Sequence, residues 1–260
     1  MKRLLLAVAT VFMAVAAFVT PAEKPPRGDT TIRVIFPPEA AFISLKRQLR
    51  DVDWKKLIYT NELKPKKDVV GYQIGVLFAN WSVAAATREE QYVNIISTNI
   101  IRLTRDIDID DDSVLVSIKK RVQKFGDYFK DDKPESYRKI ESEIRYIKDE
   151  LKRYYGRTGN KTIVDQIGFG AWLEFNYIGA NGLLLKYNPA STIVFNRAIE
   201  IDDFLAKANA DKRMANIIDF LRAVKPKMTI KEGKTLSKAE LTALRDQIGA
   251  FRTKLAVITK

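Results

Sequence analysis

Asp165 and Glu174, two acids on one apolar stretch, are the residues best placed for chemistry, because the chain has no histidine and no cysteine. The missing histidine removes the commonest general base and metal ligand. Without cysteine as well, ordinary zinc sites, Ser-His-Asp triads and thiolate nucleophiles are excluded. The Glu-x-x-His signature of di-iron bundles is excluded too. Gly168-Phe169-Gly170 is not followed by the glycine and lysine that a phosphate loop needs. Carboxylates, Ser/Lys pairs, or no chemistry remain. Carboxylate catalysis needs two acids in one cleft. Asp165 and Glu174 stand nine residues apart, about 2.5 helical turns, so they point to opposite sides and need an acid from another helix.

The acidic run Asp106-x-Asp108-x-Asp110-Asp111-Asp112 resembles a calcium loop only in part. A loop opening at Asp106 wants Gly at 111 and Glu at 117, where Asp111 and Ser117 stand. The acids are expected to favour the positive start of the following helix instead. No metal site and no cofactor is implied.

Gly71, Gly75 and Ala79 form a small-residue stripe, and Gly168 with Ala171 repeats it in a second apolar segment. Such stripes let helices approach closely. The alternative is a ligand pocket between the two segments. Its polar groups would be Gln73, Asn80, Gln166, Glu174 and Asn176, with Trp81 and Trp172 as walls.

Charge points to partners rather than fold. The chain holds 45 Lys and Arg against 32 Asp and Glu, a net +13. Anionic envelope components, such as lipid head groups and glycans, are the expected partners. Residues 119–161 contribute 14 basic residues and 8 acids, interleaved with Tyr137, Tyr146, Tyr154 and Tyr155. That composition suits a head-group or nucleic-acid surface. Glu141/Arg145 and Asp149/Arg153 stand at i,i+4, however, and are expected to neutralise each other, which disfavours nucleic acid.

The elements that must position these residues read as helices almost throughout. One starts near Glu39 with Phe42, Leu45 and Leu49 inward. Asp68–Ala86 is apolar on most of its surface. Thr87-x-x-Glu90 matches a capping box opening a helix with Tyr92, Ile96, Ile100, Leu103 and Ile107 inward. Another carries Val114 to Phe129. Pro134 opens the clearest amphipathic helix, with Tyr137, Ile140, Ile144, Ile147, Leu151 and Tyr154 on one side and Gly156 as its end. Asn160 caps the second apolar helix, and Asn188-Pro189 opens one holding Phe195, Ile199 and Leu205. A short helix at Ile217–Val224 follows. Ser237-x-x-Glu240 is a second capping box before Leu241, Leu244, Ile248, Phe251, Leu255 and Ile258. No repeated period-2 alternation argues for a sheet. The fold class is therefore all-α, a bundle of roughly seven to nine helices with two central apolar helices covered by amphipathic ones.

The N-terminus reads as an export signal. Lys2 and Arg3 precede a 16-residue apolar run, Leu4–Val19, broken only by Thr10 and shorter than the roughly 20 residues that span a bilayer. Small residues then suit cleavage after Ala22, with Ala16 or Ala17 as alternatives. An uncleaved anchor is the rival reading. The expected organisation is a signal peptide at 1–22, a Pro/Gly-rich tether at 23–37 and one helical-bundle domain at 38–260, with no transmembrane span after cleavage. Removing Lys2 and Arg3 with no acid leaves +11. The expectation is a periplasmic or secreted, non-catalytic binding or scaffolding protein. The alternatives are a carboxylate-dependent enzyme acting on envelope glycans and a small-molecule binder using the central pocket.

Overall fold

In a computed structural model, residues 38–59, 65–106 and 112–257 are described. The expected signal segment and tether, the acidic loop at 107–111 and Ile258 lie outside them. The described residues are helical and turn structure with no strand, an all-α multi-helix bundle as the periodicity predicts.

The helices are α1 (Pro38–Gln48), α2 (Val70–Ala86), α3 (Glu90–Asp106), α4 (Asp112–Gln123), α5 (Phe125–Asp131), α6 (Pro134–Arg157), α7 (Lys161–Leu185), α8 (Ala198–Ala210), α9 (Ile218–Val224) and α10 (Lys238–Val257). Short 3-10 turns at Trp54–Leu57, Lys67–Val69, Pro189–Phe195 and Lys212–Ile217 join them.

Helices α2 and α7 are the apolar pair, and their mutual contact is the most extensive among the described helices. Each buries residues on nearly every side. A helix apolar all round must be covered all round, and here the pair divides the core in two. One face of α2, with Ile74, Leu77, Phe78 and Trp81, meets the inward seams of α3, α4, α5 and α6. The other face, with Tyr72, Ala79 and Val83, joins α7 residues Phe169, Trp172 and Leu173 against α1, α8, α9 and α10.

Glycine explains how closely the pair packs. A Cβ at Gly75 would strike the Ile167 carbonyl and lie 2.7 Å from the Ala171 nitrogen; one at Gly170 would strike the Tyr72 carbonyl. One at Gly71 would lie 2.7 Å from Gln166 Oε1. Backbone touches backbone because side chains are missing there. Gly168, the expected member of the α7 stripe, has only Phe204 near it, at 3.9 Å, so Gly170 makes the close approach.

Several helix boundaries differ from expectation for local reasons. Thr87 does not cap α3. Its hydroxyl donates back to the Val83 and Ala84 carbonyls at 2.9 and 3.2 Å, closing α2. Arg88 then turns the chain with φ +65°. Val93 rather than Tyr92 heads the fully buried seam of α3. The Val114–Phe129 stretch breaks at Lys124 into α4 and α5. Helix α6 runs past Gly156 to Arg157, and the positive φ falls at Gly159. Asn160 stands at the start of α7 without a side-chain capping bond. Asn188 accepts from the Ala190 N–H at 3.1 Å, opening a 3-10 turn that stops before α8. The second capping box forms as read: the Ser237 N–H donates to Glu240 Oε2 at 2.7 Å, and the Glu240 N–H donates to Ser237 Oγ at 3.2 Å. No described helix is long and apolar enough to cross a membrane.

Candidate functional site

A carboxylate inside an apolar helix needs compensation, because desolvating an unpaired charge costs several kcal/mol. Glu174 has no exposed surface. Its Oε1 accepts from Arg252 at 2.9 Å and from Asn80 Nδ2 at 2.8 Å, and its Oε2 accepts from Arg252 Nε. The guanidinium therefore grips the carboxylate with two nitrogens, the geometry in which arginine binds carboxylates best. Asn80 Nδ2 also donates to the Val76 carbonyl at 3.0 Å, while Asn80 Oδ1 accepts the Tyr59 N–H at 2.6 Å. Arg252 lies 4.6 Å from the Tyr59 ring centroid and 4.9 Å from that of Tyr177. Burial is the largest influence on Arg252 and opposes its charge. The adjacent Glu174 outweighs it and holds the pKa above the ordinary arginine value.

This cluster joins α2, α7, α10 and the segment after the Trp54 turn. It places three hydrogen bonds on Glu174, with both carboxylate oxygens engaged. Asp165 is engaged elsewhere, 3.4 Å from Lys207. The two acids thus answer to different cations on different helices, as their spacing requires. They do not form a catalytic pair.

The residues expected to line a central pocket separate in the same way. Asn80 and Glu174 do meet. Trp81 packs on Phe78 and Phe125 in one core, whereas Trp172 packs on Phe169 and Phe204 in the other. They are therefore not walls of one pocket. Gln166 donates to the Asp68 carbonyl at 2.7 Å, and Gln73 donates to the Leu255 carbonyl at 3.5 Å. Asn176 donates to Trp172 O within its own helix at 2.7 Å. It also lines a cavity of about 10 Å³ with Phe42 and Leu45, room for no more than one water. At Gly71, Gly75 and Gly170 the interface has no room for a methyl group.

An open groove of about 370 Å³ lies instead on the exposed side of α6, lined by Tyr146, Glu150, Arg153, Gly156 and Arg157. Four of these stand at i, i+4, i+7 and i+11 and form one stripe, about a third of a turn round the helix from the buried stripe Ile140, Ile144, Ile147 and Leu151. Tyr146 is 42% exposed. The Arg121 guanidinium of α4 lies 3.3 Å from its ring centroid, and Arg153 lies 5.6 Å away. Arg121 is neutralised by Glu143 and stands 3.9 Å from Glu150 Oε2, which also accepts from Ser117 at 3.0 Å. Helix α4 thereby engages one oxygen of the Glu150 carboxylate.

The expected neutralisation of Asp149 by Arg153 does not form. Arg153 Nε donates to the Asp149 backbone carbonyl at 3.3 Å, not to its carboxylate. Arg157 pairs with no carboxylate among the described residues. Two guanidiniums one turn apart thus line an open groove, neither in an ion pair with a carboxylate among the described residues. The charge count of residues 119–161 pointed to this region. The assumption that i,i+4 neighbours pair hid the site. Arg252 carried a plainer signal, as a cation beside the apolar seam of the last helix while a glutamate sat unanswered in an apolar one.

Comparison with protein-family models, curated proteins and solved structures gives no match for this chain.

Proposed function

We propose that the chain is an exported, non-catalytic protein of the cell envelope that holds anionic partners on the exposed stripe of α6. The observation that carries this reading is the Arg153–Arg157 pair, which borders the groove without a carboxylate partner. Bidentate contact with phosphate or carboxylate is what such guanidiniums do best. The C-terminal end of a helix opposes an anion by about 0.3–1 kcal/mol. A charge-assisted hydrogen bond contributes about 1.5–3 kcal/mol, so two arginines outweigh the dipole. The net positive charge of the chain adds long-range attraction to an anionic surface. The non-catalytic part rests on Glu174, whose oxygens are committed to Arg252 and Asn80.

The test is flotation with vesicles containing phosphatidylglycerol in phosphatidylcholine. Binding is expected to weaken as salt rises, and Arg153→Glu/Arg157→Glu is expected to weaken it by more than about tenfold. Binding that is unchanged in the double variant would remove the reading. Export is tested separately. Expressed with its full N-terminus in a bacterium, the chain should be recovered from the periplasm beginning at Glu23.

A further inference from the structure

Resting on that reading, we propose that the groove selects a phosphate ester bearing a primary ammonium group about one helical turn from the phosphate, with phosphoethanolamine the smallest such ligand. The groove is not uniformly basic. Along the stripe, Arg153 and Arg157 stand four residues apart, and Glu150 precedes Arg153 by three. Residues at these spacings are neighbours, with Cβ atoms about 5–6 Å apart. The stripe therefore offers two guanidiniums followed by one carboxylate, a charge order complementary to an amino-phosphate ester.

Glu150 is held for this role by α4. Ser117 and Arg121 both reach its Oε2, at 3.0 and 3.9 Å, and neither engages Oε1. Gly156 also lines the groove, and a Cβ there would meet no atom within 4 Å, so the space beside the arginines is open. A polyanion laid along the stripe would bring negative charge against Glu150. A phosphate followed by an N–H donor satisfies all three side chains. The volume of about 370 Å³ lies at the low end of the range for small-ligand sites, which suits a head group rather than a long chain.

The experiment is calorimetric titration of the mature chain with three soluble probes: O-phosphoethanolamine, phosphocholine and inorganic phosphate. Phosphocholine carries the same charges but no N–H to donate. Phosphoethanolamine is expected to bind about tenfold more tightly than either of the others. Glu150→Gln should erase that preference while keeping phosphate binding, and Arg157→Glu should lose all three. Vesicles of phosphatidylethanolamine against phosphatidylcholine then distinguish a membrane head group from a free phosphoamine. Equal affinity for the three probes, or an unchanged preference in Glu150→Gln, overturns the proposal; the probe comparison needs no variant and stands if the variant fails to fold. If no soluble probe binds while phosphatidylglycerol vesicles still do, this inference fails and the broader anion-binding reading survives. If vesicle binding is absent too, both fail.

Discussion

Arg252 reaches across from α10 to grip both carboxylate oxygens of Glu174, and nothing else cationic meets that fully buried acid among the hydrogen bonds described. The dependence is unequal. The Arg252 side chain keeps about 20% of its surface exposed, while Glu174 keeps none. Arg252→Met should therefore cost more stability than Glu174→Leu, because the first strands a charge with no exposed surface, whereas Arg252 left alone keeps contact with solvent and with the Tyr59 and Tyr177 rings. A cost of about 3–5 kcal/mol is expected for Arg252→Met, and the double variant should recover most of it. Urea denaturation of the three variants gives the answer. Because the folded pKa of Arg252 lies above the ordinary value, its stabilising charge is present below that value and is lost only as pH rises beyond it.

Gly75 and Gly170 let the central helices touch, and Gly168 does not. Gly75→Ala and Gly170→Ala should each destabilise by at least about 3 kcal/mol, since the added methyl meets backbone that cannot step aside. Gly168→Ala should instead be neutral or stabilising by about 0.5–1 kcal/mol, the ordinary helical preference for alanine. Thermal unfolding of the three variants separates these outcomes. Equal losses would mean that the pair packs on a different face.

Asp211 ties the start of α7 to the turn before α9. It accepts from Arg213 at 2.9 and 3.1 Å, from the Arg213 N–H at 3.0 Å and from the Thr162 hydroxyl. The Arg213 hydrogen bond, then that of Thr162, holds its carboxyl well below the ordinary carboxylate pKa of 3.8. A depressed folded pKa stabilises above the unfolded value and stops doing so as pH falls through the folded one. Stability should thus drop as pH falls from about 4 toward 2, and Asp211→Asn should flatten that limb. At neutral pH the variant should cost about 0.5–1.5 kcal/mol. An unchanged acid limb would contradict the assignment.

What sequence made legible follows the range of the interactions. The Ser237/Glu240 box closes within four residues and formed as read. Thr87 presents the same pattern, but its hydroxyl also lies within reach of the last free carbonyls of α2 and binds those instead. The two apolar helices announced themselves by having no polar face. Which of their glycines touch depended on their rotation, which periodicity does not show when every side is apolar. That ambiguity also assigned Trp81 and Trp172 to one pocket, although they point into separate cores. Arg252 and Tyr59 lie 78 residues after Glu174 and 21 before Asn80 in the chain, so only the fold brings them together. In the α6 groove, the spacing of Asp149 and Arg153 suggested a pair. Tyr146 and the Asp149 carbonyl hold the arginine instead.

The most direct measurement of the central claim is amide and arginine Nε chemical-shift mapping of the isotopically labelled chain, with phosphatidylglycerol-containing bicelles titrated in. Anion binding on the exposed side of α6 predicts changes centred on Tyr146, Arg153, Gly156 and Arg157, with Asn80, Glu174 and Arg252 unmoved. Changes centred on Asn80, Glu174 and Arg252, with the α6 stripe silent, would contradict it.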